Sequence, residues 1–245
     1  MEPDTLPYCG GTPLPAELVS RWNFDPLVMG LLAMGFLLCR KAGARSGPLL
    51  GGFAVLTLLF VSPFCALTSA LFSARTVHHV LLIALAAPLV AMAFRRESKG
   101  GPGALAAWTL AHAAILWAWH APSAYAFALG SYVGYALMQA TLLGSAIGFW
   151  RAVIASPGPA AGTALLATMM QMGLLGALLT FAGTAIYRWH WITTQAWGLS
   201  PLEDQQLAGL VMWVPGAGAY LFAALYLAGS WLRGRESGRE RAIAA

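Results

Sequence analysis

The sequence predicts an all-α, polytopic membrane bundle of about seven transmembrane helices, with the N-terminus outside and the C-terminus in the cytoplasm. Three observations carry this. Of 245 residues, 59% are hydrophobic and only 9% charged, against about 25% charged in an ordinary soluble domain. So few charges cannot cover a water-facing surface, and the long apolar runs identify a bilayer as the solvent. Those runs also lack the alternation of barrel strands, and only helices or closed barrels satisfy the backbone in lipid. Lastly, the basic residues alternate in density from one polar stretch to the next.

The elements follow in order. The first 22 residues are polar and carry Pro3, Pro7, Pro13 and Pro15. They lack the basic start and apolar core of a cleavable signal, so the first span is expected to act as an uncleaved anchor. Spans are expected over 25–39, 48–64, 76–94, 103–120, 131–150, 159–186 and 204–232, against the roughly 20 apolar residues that cross a bilayer. Asp25-Pro26 reads as an N-cap followed by a first-turn proline. Pro63, Pro88 and Pro215 are expected to kink their helices. Gly144-x-x-x-Gly148 and Gly173-x-x-Gly176 read as close-packing sites between helices. This divides the chain into an outer tail (1–22), a membrane domain (23–232) and a basic cytoplasmic tail (233–245).

Orientation comes from lysine and arginine. Arg40, Lys41, Arg45, Arg95, Arg96, Lys99, Arg151, Arg233, Arg235, Arg239 and Arg241 are 11 of the 14. They fall on one set of loops, with Arg21, Arg75 and Arg188 on the other, and the crowded set belongs in the cytoplasm. The net charge of +5 therefore reports topology rather than a nucleic-acid patch. Cys9, Cys39 and Cys65 form no C-x-x-C pair. Cys39 and Cys65 read as packing residues and Cys9 as a free thiol.

The histidines are the informative polar residues. In this topology His78 and His79 sit in the first outer turn of the third span, and His120 ends the fourth at the same face. Asp204 begins the seventh span as its expected N-cap, and Gln139 lies one turn after Tyr135 near the outer end of the fifth. His112 lies about 12 Å deeper than His120 and should face the bundle or a buried partner. His190 reads as an interfacial loop residue between Trp189 and Trp191. Ionisable groups in spans are functional candidates, and neutral imidazole suits copper, zinc or haem iron. Met169 and Met172 share a helix face but read as packing.

Three stretches are familiar together: His78-His79-Val80-Leu81-Leu82 with Ala86-Ala87-Pro88-Leu89; Trp117-Ala118-Trp119-His120-Ala121-Pro122 with Tyr125; and Ser200-Pro201-Leu202-Glu203-Asp204-Gln205-Gln206-Leu207-Ala208-Gly209 with Met212-Trp213-Val214-Pro215-Gly216. Over residues 70–232 the chain resembles the multi-spanning CtaG family of cytochrome c oxidase assembly factors, associated with caa(3)-type oxidases. It does not resemble the single-span copper chaperone that shares the name. The resemblance implies a seven-helix protein of the bacterial inner membrane that handles copper while haem-copper oxidase matures. Its partners would be oxidase subunits or other assembly factors. The candidate metal residues, from their placement and the resemblance together, are His79, His120, His78, Asp204 and Gln139. Arg75, Tyr135 and Gln139 stand where the family usually has histidine, whereas His79, His120 and Asp204 keep its pattern.

Other functions fit less well. A haem protein with His79 and His120 as axial ligands is the main alternative. A transporter should show internal symmetry with broken helices, and none is visible. A retinal protein needs a lysine within a span, and Lys41 and Lys99 both lie in loops. No nucleophile–base pair or phosphate loop suggests an enzyme.

Overall fold

A computed structural model describes residues 7–94, 102–156 and 158–243, with only the backbone for 102 and 236–243. It is built of helices, and the described residues contain no strand. Arg95, Arg96 and Lys99, which the topology argument counts as cytoplasmic, lie outside the described residues, as do the side chains of Arg239 and Arg241.

Helix α1 (Pro26–Lys41) starts where expected: the Asp25 carboxylate accepts the Leu27 N–H at 2.8 Å, and Pro26 occupies the first turn. A short turn with Gly43 at φ +82° leads into α2 (Ser46–Val61). Proline lacks the donor a continuing helix needs, so Pro63 ends α2 and opens α3 (Pro63–Ala70) at a 54° bend. Ser62 caps α3.

Next comes α4 (Phe72–Leu81), then a π turn (Leu82–Ala86), then α5 (Ala87–Ala93). Together they form one rod, Phe72–Ala93, that starts four residues before the expected span. Trp150 Nε1 donates to the Ile83 carbonyl at 2.8 Å, supplying a partner where the π turn disturbs the backbone ladder. Helix α6 (Pro102–His120) is followed by the short α7 (Pro122–Gly130), again opened by proline. Helix α8 (Tyr132–Ala155) is capped by Ser131. Helix α9 (Gly158–Thr180) stops short of the expected end at 186.

A loop with two short 3-10 turns, Arg188–His190 and Gln195–Trp197, then leads to α10 (Pro201–Val211). Ser200 and Glu203 start α10 with reciprocal side-chain-to-backbone bonds. Asp204 is thus not its N-cap, a correction to the expectation. A second π turn (Met212–Gly216) holds Pro215, and α11 (Ala217–Ile243) continues past the expected end at 232.

Four rods are long and apolar enough to cross a membrane: Phe72–Ala93, Tyr132–Ala155, Gly158–Thr180 and Pro201–Arg235. The bent α2–α3 pair is a fifth candidate. Helix α1 has only 16 residues, about 24 Å. Helix α6 is long enough, but His112 and three tryptophans make it less apolar.

The core joins α9 to α10 and α11, α8 to α5 and α6, and α4 to α10. Gly176 and Gly209 let α9 and α10 touch: a Cβ on Gly209 would meet the Gly176 carbonyl at 2.5 Å. Of the glycines expected to pack, Gly148 lies tightly against Trp108, while Gly144 faces open space. Met172 is fully buried filler. Helix α1 packs on α2 and has no buried residue.

Candidate functional site

One end of the bundle is capped by the N-terminal tail, α3, α7 and the 181–200 loop. A disulfide joins Cys9 to Cys65, with Cα atoms 5.4 Å apart. This corrects the reading of Cys9 as a free thiol and Cys65 as packing; Cys39 is the free cysteine. No local spacing could reveal a bond across 56 residues of sequence. Around it Tyr8 stacks on Tyr135 with ring centres 4.9 Å apart, and its hydroxyl donates to Asp25 at 2.6 Å. That bond holds the Asp25 carboxyl below its ordinary range, while burial raises the Tyr8 phenol. Trp197 donates to the Pro13 carbonyl at 3.3 Å, tying the tail to the distant loop.

Beneath this cover lie the residues singled out from sequence. His79 on α4 is buried, and its Nε2 lies 3.5 Å from Gln139 Nε2 on α8. His79 is also within electrostatic range of Arg75, His78 and His120. His120, at the end of α6, bonds through Nδ1 to the Leu116 carbonyl at 2.7 Å. Its own carbonyl accepts the Tyr187 hydroxyl at 2.8 Å. His78 meets Phe60 edge-on and stacks on Phe64, and its ring also lies edge-on to that of His79, with centres 5.8 Å apart.

Asp204 is fully buried and committed to α4. Its Oδ2 accepts the Phe72 N–H at 2.7 Å and its Oδ1 the Ser73 N–H at 3.1 Å, with the Ser73 hydroxyl as a further donor. A carboxylate here satisfies the free N–H groups and faces the positive end of the α4 dipole. It therefore fixes the start of the helix that carries His79. Among the described residues, no group of three His, Cys, Asp or Glu side chains is placed to hold a metal.

Several participants were not legible in the sequence. Arg75, expected in an outer loop, is buried in α4. It donates from Nε to the Thr68 carbonyl at 3.1 Å and lies over the rings of Tyr125 and Tyr135 at 6.0 and 5.7 Å, a cation–π arrangement. His190 is also buried rather than interfacial. Its Nε2 accepts the Tyr125 hydroxyl at 2.7 Å, and its Nδ1 faces the Ala70 carbonyl at 3.2 Å. Burial, aided by the Arg75 charge, pushes its pKa down to about 3. His112 behaves as expected, with Ser145 as its buried partner at 3.0 Å.

The family model for the cytochrome c oxidase caa3 assembly factor, Caa3_CtaG, matches residues 104–234. The chain belongs to this family. The match includes His120, Gln139 and Asp204 and begins after His78 and His79. No curated protein and no solved structure matches the chain. For this Caa3_CtaG member the family supports a membrane-embedded role in oxidase assembly, and the apolar rods agree with it.

Proposed function

We propose that this Caa3_CtaG protein is a seven-span factor of the bacterial inner membrane that passes copper, as cargo, at the outer face while haem-copper oxidase matures. The family match carries the assembly role. The contact between His79 and Gln139, with His120 near enough to act on His79 electrostatically, supports a copper step at this place.

The orientation puts the capped end outside. Eleven of the 14 basic residues then lie on cytoplasmic stretches, as the positive-inside rule requires. The Cys9–Cys65 bond supports the same assignment, since disulfides persist in oxidising compartments. In this reading α1, α2 and α6 cross with the four longer rods.

The donor set is small. With Asp204 occupied by α4, the imidazoles of His79, His120 and the adjoining His78 remain, with Gln139 beside His79. So few donors suit transfer of copper to a partner better than permanent storage. Arg75, standing where the family has histidine, adds a fixed positive charge near the site and disfavours a high cation charge there.

Copper content of detergent-purified protein, and oxidase maturation in cells, test this in His79→Ala and His120→Ala variants. Both readouts are expected to fall together in both variants, with membrane insertion unchanged. Full copper retention and full oxidase activity in both variants would sink the proposal.

A further inference from the structure

The N-terminal tail is fastened to the capped end by one covalent bond, and that bond lies directly on the candidate site. Cys9 Sγ is 3.6 Å from the Tyr135 hydroxyl and 4.0 Å from Thr68 Oγ1. Tyr135 and Thr68 are the residues that hold Arg75, through the Tyr135 ring and the Thr68 carbonyl. One turn beyond Tyr135 on α8 is Gln139, which meets His79. Tyr8, Tyr135 and Gln139 line one crevice, so withdrawing Tyr8 opens a way from the capped end to Gln139 and the imidazole beside it. Among the described residues the tail's other ties are noncovalent and individually weak. Tyr8 stacks on Tyr135 and donates to Asp25, Arg21 donates to the Gly11 carbonyl at 2.6 Å, and Trp197 donates to the Pro13 carbonyl. The two sulfurs also differ. Cys65 is fully buried in α3, whereas Cys9 is only partly buried, so a thiolate arriving from solvent meets Cys9 first.

We propose that Cys9–Cys65 is a redox latch: a site of thiol–disulfide exchange with a dithiol reductant, whose opening frees the tail and uncovers Tyr135, Gln139 and His79. A thiolate of the reductant attacks Cys9 Sγ, the S–S bond breaks, and Cys65 leaves as a thiolate that takes up a proton. The reductant's second thiolate then displaces Cys9, which also takes up a proton, and the reductant departs as a disulfide. Two electrons and two protons pass to the protein, and the reverse exchange refastens the tail. While the bond is intact it keeps Tyr8 at high effective concentration over Tyr135; once it is broken, the weak ties hold the tail alone. What the latch regulates rests on the copper reading. The latch itself does not, and its test uses no copper.

The test uses metal-free, full-length Cys39→Ser protein in detergent, where Cys9 and Cys65 are the remaining cysteines. Dithiothreitol, itself a dithiol, should turn both into reactive thiols while the protein stays folded. Diethyl pyrocarbonate, read by mass spectrometry, then reports access to each imidazole. Modification of His79 should quicken about fivefold or more on reduction, as local opening exposes it. The same should hold in Cys9→Ser/Cys65→Ser protein, which lacks the bond without any reductant. His112, held by Ser145 and about 12 Å deeper than His120, should be unchanged. Resistance of the bond to dithiothreitol in the folded protein would overturn the proposal. So would a smaller acceleration at His79 in either protein. Equal acceleration at His112 would also overturn it, by showing that the bond holds the whole bundle rather than its cover.

Discussion

Asp204 shows how one residue can be found for the wrong reason. Its place in a polar segment beside an expected helix start marked it as a cap, and it is one, but for α4 rather than α10. Both of its oxygens accept N–H groups. An asparagine offers one oxygen and turns its own NH₂ toward a donor, so Asp204→Asn should lose about 1–3 kcal/mol. Thermal unfolding in detergent measures this, and wild-type stability would refute the assignment. His190 allows a pH test. The native imidazole is neutral, with its pKa pushed down to about 3. In an opened loop it returns to about 6.5. The opened state then binds the extra proton, so stability is complete above about pH 7 and falls as pH drops below 6.5. The expected loss is about 2 kcal/mol by pH 5. Amide protection factors across 187–199 should fall between pH 7 and pH 5, and the step should shrink in His190→Gln. A pH-independent protection would contradict a buried neutral imidazole.

Among elements, the α9–α10 contact depends on two glycines with no room for a methyl group. A Cβ on Gly209 would meet the Gly176 carbonyl at 2.5 Å and the Thr180 backbone nitrogen at 2.6 Å. Backbone cannot rotate away, so Gly209→Ala should cost about 1–3 kcal/mol. Gly144, equally conspicuous in the sequence, faces nothing within 4 Å. Gly144→Ala should be neutral or stabilise by up to about 1 kcal/mol through helix propensity. Melting temperatures of the two variants should therefore move in different directions, and a common shift would refute the contact. The G-x-x-x-G pattern is legible, but which glycine is used depends on the neighbouring helix. The bend at Pro63 was legible because proline removes a backbone donor whatever its surroundings. The π turns near Pro88 and Pro215 follow from the same chemistry, although their width did not.

The molecule as a whole is closed at one end by its own tail. The Cys9–Cys65 bond spans 56 residues, and closing such a loop limits the unfolded chain. Removing it in Cys9→Ser should cost about 2–5 kcal/mol, read again by thermal unfolding with Cys39→Ser as the control. The proposed topology predicts that a C-terminal reporter is active only in the cytoplasm; periplasmic activity would reverse it. In that proposed topology the covered residues His79, His120 and Arg75 would lie toward the outer compartment.

The helical character, the run of apolar helices broken at proline and the family resemblance were readable from the chain alone. They rest on local quantities: apolar run length, proline and capping chemistry, the count of basic residues and short motifs. Tertiary structure alone decided that Cys9 meets Cys65, that Arg75 and His190 are buried together, and that Asp204 serves α4. Each of these joins segments far apart in sequence, and their partners are set by how the helices pack. Local pattern carries no record of such distances, so a buried arginine and an outer-loop arginine look alike until the helices around them are in place.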